Sequence, residues 1–496
     1  MSTHPPLSLY LPTADDTDRL GAWFAARLGP GDVVLLHGQI GAGKTQFSRA
    51  LIRARLGRNE DVPSPTFTLV QAYEVGETEI WHADLYRLSH PDEVTELGLE
   101  AAFETAICLV EWPEKLGDLT PKNALTLRFS LSGEGRKVEI SAPAHSALLA
   151  ELMRDWAASE DRAALSQSFV AQAGWGDAER RFLAGDASDR SYDRLTRGNE
   201  TAVLMDAPPG KGDDPESFVA VARHLHKIGL SAPDIFAKDL SHGFLLLEDL
   251  GDQLFARVIP ADPALETPLY AAATDVLVHL QSCDPIPGLP DLTGQDWAKA
   301  AAFVIDWYRY AICGTRADPD AFVATLAECL AKLADGPRVM ILRDYHAENL
   351  LWLPHRAGLR RVGLLDFQLA QMGQPGYDLV SLLQDARRDV ALPVELAMKQ
   401  RFAERTGTTE AGFDAAYAAL GAQRALRILG IFARLCLQGG KPNYLPLVPR
   451  VWGHLQRNLA HPALAPLAAI CHDLLPEPTP ERLERIRTQC GTVPTP

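Results

Sequence analysis

"DVVLLHGQIGAGKTQFSRALIRARLG", Asp32 to Gly57, decides the architecture of the first third of this chain. Asp32 to Gly38 is a short apolar run that reads as a buried strand, and it passes through a glycine-rich turn into a helical stretch that stops at Gly57. Strand, loop and helix in that order are the setting that the phosphate-binding pattern GxxxxGK[ST] requires, and the eight residues from Gly38 to Thr45 fit it. Gly38, Gly41, Ala42 and Gly43 let successive backbone N–H groups face phosphate oxygens, Lys44 reaches the terminal phosphates, and Thr45 offers a hydroxyl to magnesium. ATP and Mg2+ are therefore the expected ligands.

Upstream, "TADDTDRLGAWFAARLGPGD" has Thr13 as a cap, places Leu20, Trp23, Phe24 and Leu28 on one helical face, and stops at Gly29-Pro30. Downstream, "TEIWHADL" and "AICLVEW" read as strands that end in Asp84 and Glu111, where an open α/β sheet builds its sites. With the phosphate loop, both acids are expected as metal or water ligands. Taken singly, Asp84 equally fits a cap on the "LYRL" that follows, and Glu111 a surface acid. Trp112 fits either an aromatic contact near the nucleotide or a wedge packed under the sheet.

A second stretch speaks of another fold. In "ILRDYHAENLL", Ile341 to Leu351, Asp344 and Asn349 stand five residues apart, and "LLDF" supplies Asp366. In kinase-like enzymes such an Asp takes the proton of the acceptor hydroxyl, the Asn holds metal, and the later Asp bridges metal to the nucleotide phosphates. The intervening "LLWLPHRAGLRRVGLLDF" reads as two strands about a turn at Ala357-Gly358, which brings Asn349 and Asp366 together across a hairpin. The cation expected on the third strand is missing: "TAVLMDAPP" carries Met205 and no lysine. Arg190 or Lys211 is the expected substitute, although a surface arginine in a hairpin explains Arg190 as well. Glu248 and Leu250, with Asp249 between them, fall at the inter-lobe hinge that offers backbone groups to adenine. For a sugar acceptor, "VIDWYRYAI" offers Trp307 and Arg309, suited to a ring bearing a carboxylate, and a helix core explains the same letters.

At 496 residues the chain is too long for one ordinary core. The expected organisation is an α/β P-loop NTPase domain over residues 1–158, then a protein-kinase-like α+β bilobal domain over 162–496, with the boundary in the Ala-rich helical stretch 144–172. A formal net charge of −16, with acids in excess in both parts, argues against direct steering to nucleic acid or anionic lipid. The seven cysteines are scattered and never spaced as CxxC, which argues against a zinc site or a disulfide framework and for a reducing cytoplasm. "MSTHPPLSLY" lacks the pattern of an export signal, and no stretch of about 18 apolar residues occurs, so neither export nor a membrane span is expected.

"LHGQIGAGKTQFSRAL", "SPTFTLVQAYE", "HADLYRL" and "CLVEWPE", in this order, closely resemble the TsaE family, the small P-loop ATPases of the bacterial machinery that makes threonylcarbamoyladenosine in tRNA; the resemblance spans residues 8–141. It implies that Lys44 and Thr45 bind nucleotide and magnesium, that Glu111 is a magnesium ligand, that Asp84 is the Walker-B-like acid, and that Thr66 lies in a mobile switch segment. It also implies action with TsaB- and TsaD-type subunits, ATP hydrolysis resetting the complex rather than modifying tRNA. "LAGDASDRSYDRL", "VLMDAPP", "LLLEDLG", "RDYHAENLLW", "LLDFQLAQMGQPGYDLVSLLQDARRDV" and "GKPNYLPLVPRVW" closely resemble the AmgK family of the aminoglycoside-phosphotransferase and choline-kinase-like superfamily, over residues 162–460. This implies phosphorylation of the anomeric hydroxyl of N-acetylmuramate and N-acetylglucosamine in cell-wall recycling, and makes the strand methionine part of the family pattern. Leu342 departs from the pattern, since His usually precedes Arg-Asp there, in a structural rather than a chemical role. Two other readings stand beside this one: a pseudokinase that binds or regulates the ATPase, and a kinase for an aminoglycoside, choline or a protein.

Overall fold

The computed structural model describes residues 6–56, 62–75, 78–88, 93–94, 97–133, 135–185, 190–210, 212 and 214–493. The chain divides into two compact units, Met1–Asp161 and Arg162–Pro496.

The first unit is built on a seven-stranded sheet of β1 (Leu7–Leu11), β2 (Val33–His37), β3 (Val70–Val75), β4 (Thr78–Asp84), β5 (Ile107–Glu111), β6 (Leu125–Ser132) and β7 (Gly135–Ser141), in the order β1-β7-β6-β2-β5-β4-β3. β2 is central and runs parallel to β5 and β6, and β4 runs parallel to β5. β1, β3 and β7 pair antiparallel to their neighbours. "VVLLH" and "ICLVE" are near-continuous apolar runs because a parallel central strand is covered on both faces. Alternate residues serve the two faces. Val34 and Leu36 pack with Phe24 and Phe47 of the helices Ala14–Ala25 and Lys44–Leu56, whereas Val33 and Leu35 pack with Leu99 and Ala102 of the helix Leu99–Thr105. The expected cap at Thr13 is present as a reciprocal box with Asp16, satisfying orphan N–H groups of the first turn.

The second unit opens with a five-stranded antiparallel sheet of β8 (Glu179–Gly185), β9 (Ser191–Arg197), β10 (Glu200–Asp206), β11 (Ile235–Asp239) and β12 (Phe244–Glu248), in the order β11-β12-β10-β9-β8. Along β10, Ala202 and Leu204 join Phe169 and Phe244 in a small core, while Met205 points to the other face and joins the main one. The rest is largely helical, gathered about the helix Glu410–Leu437, and is interrupted by two short two-stranded antiparallel sheets. One pairs β13 (Val339–Ile341) with β16 (Gln371–Gly373); the other pairs β14 (Leu350–Trp352) with β15 (Val362–Leu364), the hairpin expected from sequence. Gly430 of the long helix permits a close crossing, since a Cβ there would lie 2.3 Å from the carbonyl carbon of Phe303. Among the described residues no helix is long and apolar enough to cross a membrane.

Candidate active sites

In the first unit the phosphate loop follows β2. Gly38, Gly41 and Gly43 have φ of +138°, +80° and +110°. These values suit glycine alone, and at Gly38 a Cβ would also lie 2.4 Å from the carbonyl oxygen of Phe129. Ala42, between them, is fully buried. Lys44 Nζ donates to the carbonyl oxygens of Gly38 (2.6 Å) and Gln39 (3.0 Å). Its ammonium lies 4.2 Å from the centroid of the Trp112 ring. Burial lowers the pKa of Lys44, and Glu111, Asp84 and Glu114 oppose that shift. Trp112 thus sits on the loop lysine and also packs against the apolar layer under the sheet.

Strand pairing brings the two acids together. Asp84 and Glu111 are direct partners in the β4–β5 register, beside the strand that feeds the loop. Thr45 Oγ1 donates to Glu111 Oε2 (2.9 Å), and Thr66 Oγ1 donates to Asp84 Oδ2 (2.8 Å). A residue that sequence reading missed completes the set: His82, fully buried, places Nε2 3.0 Å from Glu111 Oε1. Its signal was available, since His82 stands two residues before Asp84 and therefore on the same face of its strand. A hydroxyl and two carboxylates are the hard oxygen donors that suit magnesium.

In the second unit, Asn349 Nδ2 donates to the main-chain oxygen of Asp344 (2.9 Å) and lies 3.5 Å from Asp366 Oδ2. Asp366 Oδ1 accepts from Gln368 Nε2 (2.8 Å) and from Arg190 Nη2 (3.3 Å), whose side chain is almost wholly buried. The strand position of the missing lysine holds Met205, buried opposite Tyr192 and Leu245, so the cation near Asp366 comes instead from the segment before β9. Lys211, the other expected substitute, lies outside the described residues. Glu248, Asp249 and Leu250 line a cleft of about 340 Å³ whose far wall includes Asn349 and Asp366. Arg194, also missed, stiffens that hinge by pairing with Asp249 (2.7 Å) and Asp252 (3.0 Å).

The catalytic loop is held by Asp378, fully buried, which accepts the N–H groups of Leu342 (2.6 Å) and Arg343 (2.9 Å). Burial pushes its carboxyl up to about 6 against the pull of those two N–H groups. Leu342 itself is a core side chain. His346 is held neutral, its pKa pushed down to about 3 by burial and by Arg387 and Arg424. Among the described residues four that are not glycine have positive φ: Leu69, Trp112, Arg343 and Asp366. Leu69 accepts the N–H of Asp84, Trp112 follows Glu111, Arg343 precedes Asp344, and Asp366 is itself a site acid. Backbone strain thus gathers at both sites, where surrounding hydrogen bonds can hold it. Removing the clamp by Asp378→Ala leaves two buried N–H groups unpaired and is expected to cost about 3 kcal/mol. The check is the urea midpoint of the second unit's transition, and an unchanged midpoint would refute the clamp.

Trp307 and Arg309 are not brought to this loop. They lie in a π-helical turn, Val304–Arg309, where Trp307 packs against the core and Arg309 Nη1 donates to the Thr315 carbonyl (2.6 Å). Neither is among the residues lining the cleft. The segment that carries them packs beside the long helix.

The family model of threonylcarbamoyl adenosine biosynthesis protein TsaE matches residues 11–138, and that of the phosphotransferase enzyme family matches residues 179–420. The chain is 40% identical over 350 residues to the N-acetylmuramate/N-acetylglucosamine kinase of Caulobacter vibrioides, covering 63% of this chain and 96% of that protein. The kinase of the same name from Pseudomonas aeruginosa is 35% identical over 326 residues, covering 62% of this chain and 93% of its own. The tRNA threonylcarbamoyladenosine biosynthesis protein TsaE of Rickettsia bellii is 38% identical over 128 residues, covering 26% of this chain and 89% of that protein. With a phosphate loop and paired acids in one unit and a hinge cleft faced by Asn349 and Asp366 in the other, the chain belongs to two families, TsaE through its first unit and the N-acetylmuramate/N-acetylglucosamine kinases of the phosphotransferase family through its second.

Proposed function

We propose that residues 162–496 transfer the γ-phosphoryl group of ATP to the anomeric hydroxyl of N-acetylmuramate or N-acetylglucosamine, and that residues 1–158 hydrolyse ATP for the tRNA threonylcarbamoyladenosine machinery. The convergence of Asp344, Asn349 and Asp366 carries the kinase reading: Asn349 Nδ2 reaches the Asp344 main chain at 2.9 Å and Asp366 at 3.5 Å. Asp344 accepts the proton of the sugar hydroxyl as it attacks, and Asn349 and Asp366 hold Mg2+. Bound there, magnesium neutralises charge on the transferring phosphate. Arg190 offsets the charge of Asp366, and the backbone from Glu248 to Leu250 receives the base. In the first unit Lys44 binds the terminal phosphates, Thr45 and Glu111 hold Mg2+, Asp84 orients the attacking water, and Thr66 couples the switch segment to Asp84. TsaB- and TsaD-type subunits are the partners, with tRNA engaged through them. Seven unpaired cysteines and two ATP sites suit the cytoplasm.

The test is incubation of the full chain with ATP, Mg2+ and each sugar, with 31P NMR for a sugar 1-phosphate. Aminoglycosides and choline serve as competing acceptors. Product only on those acceptors would reject the amino-sugar acceptor, and product on none would reject the kinase reading in favour of a pseudokinase.

A further inference from the structure

Beside the catalytic loop lies a second cavity, of about 440 Å³, whose polar lining is Glu348, Asp385, Arg387, Arg388, Asp389 and Arg450. The loop forms one wall: Glu348 lines both this cavity and the nucleotide cleft. Arg387 pairs with Glu348 (3.0 Å) and reaches His346 Nε2 (3.2 Å), two residues from Asp344. A sugar that presents one hydroxyl to Asp344 must lodge the rest of its ring against this loop, and this space adjoins it.

The three arginines are not equivalent. Arg450 gives two N–H groups to Asp389 (2.6 and 3.0 Å), and Arg387 is taken up by Glu348 and His346. Arg388 has a carboxylate near it only at 3.6 Å, in Glu266, too long for a charge-assisted hydrogen bond, and its Nη1 is buried without a hydrogen-bond partner among the described residues. Among the described residues Asp385 Oδ2 and Tyr270 Oη are likewise buried without a hydrogen-bond partner, and the Arg388 guanidinium lies 5.8 Å from the Tyr270 ring centroid. Burial raises the pKa of Asp385 against the pull of Arg387 and Arg424. A half-buried guanidinium with one buried, unpaired N–H is suited to a carboxylate, whose oxygens match its fork.

We infer that Arg388 reads the carboxylate of an acidic amino-sugar acceptor, with Asp385 and Tyr270 available to its hydroxyl or amide groups. The inference rests on the kinase reading of the second unit and adds to it a residue that sets the preference between acceptors. N-acetylmuramate carries a lactyl ether carboxylate that N-acetylglucosamine lacks, while their anomeric ends are alike. Arg388 therefore acts on one acceptor far more than on the other.

The experiment measures kcat and KM of the full chain, wild type, Arg388→Gln and Arg388→Lys, on N-acetylmuramate, its methyl ester and N-acetylglucosamine. In Arg388→Gln the ratio of kcat/KM for N-acetylmuramate to that for N-acetylglucosamine is expected to fall about 10- to 100-fold, chiefly through KM, with Arg388→Lys in between. Wild type discriminates acid from ester, and Arg388→Gln does not, a comparison within one protein that a folding defect cannot mimic. Parallel loss on both sugars, or undiminished preference for the acid over the ester in Arg388→Gln, would overturn the assignment while leaving the kinase reading intact. Phosphorylation of neither sugar by wild type would overturn both.

Discussion

Asp344→Asn is expected to lower sugar phosphorylation about 10²- to 10⁴-fold while leaving nucleotide affinity nearly unchanged. Asn is isosteric but cannot take the proton of the attacking hydroxyl, so the loss falls on kcat. The architecture of the loop should survive, because its fixed contacts use the backbone at this position: Asn349 Nδ2 bonds the Asp344 carbonyl oxygen, and the Asp344 N–H bonds the carbonyl of Leu342 (3.0 Å). The nucleotide cleft is lined by the hinge and by Asn349 and Asp366, none of which is altered. The measurements are sugar-dependent ADP release and binding of a fluorescent ATP analogue. Full activity would dismiss Asp344 as the base; a matching loss of nucleotide binding would make it a structural residue.

Lys44→Ala is expected to reduce ATP turnover in the absence of sugar about 10²- to 10³-fold, the effect of deleting one preorganised donor at a developing charge, with sugar phosphorylation within about twofold of wild type. Lys44 is the cation of the phosphate loop, and its Nζ also ties down the carbonyls of Gly38 and Gln39, so the change removes charge and loosens the loop together. The sugar-kinase residues belong to the other compact unit. Running the ATPase assay in the Asp344→Asn background removes the kinase's contribution to phosphate release. Should both activities fall together, the picture of two independent nucleotide pockets is wrong.

Sequence carried the parts of both sites that depend on near neighbours. The phosphate loop is legible because Gly38, Gly41 and Gly43 meet a local steric demand for positive φ, and the hairpin joining Asn349 to Asp366 is legible because those two residues stand only seventeen positions apart. What the sequence left unsaid is nonlocal. Asp378 gave no signal, although it holds the backbone of Leu342 and Arg343 from more than thirty residues away.

From its letters alone the chain declares two unrelated ways of holding a triphosphate, because glycine turns, strand-end acids and the Asp-to-Asn spacing are constraints of covalent geometry and short reach. Tertiary structure decides which side chains complete them. Parallel register sets Asp84 against Glu111 and turns His82 toward the same carboxylate; a buried arginine ahead of β9 meets Asp366 where a strand lysine was expected; and of three neighbouring arginines only Arg388 keeps a buried donor without a hydrogen-bond partner among the described residues. Each outcome depends on which strand lies beside which and on what else is desolvated there, and distance along the chain records neither.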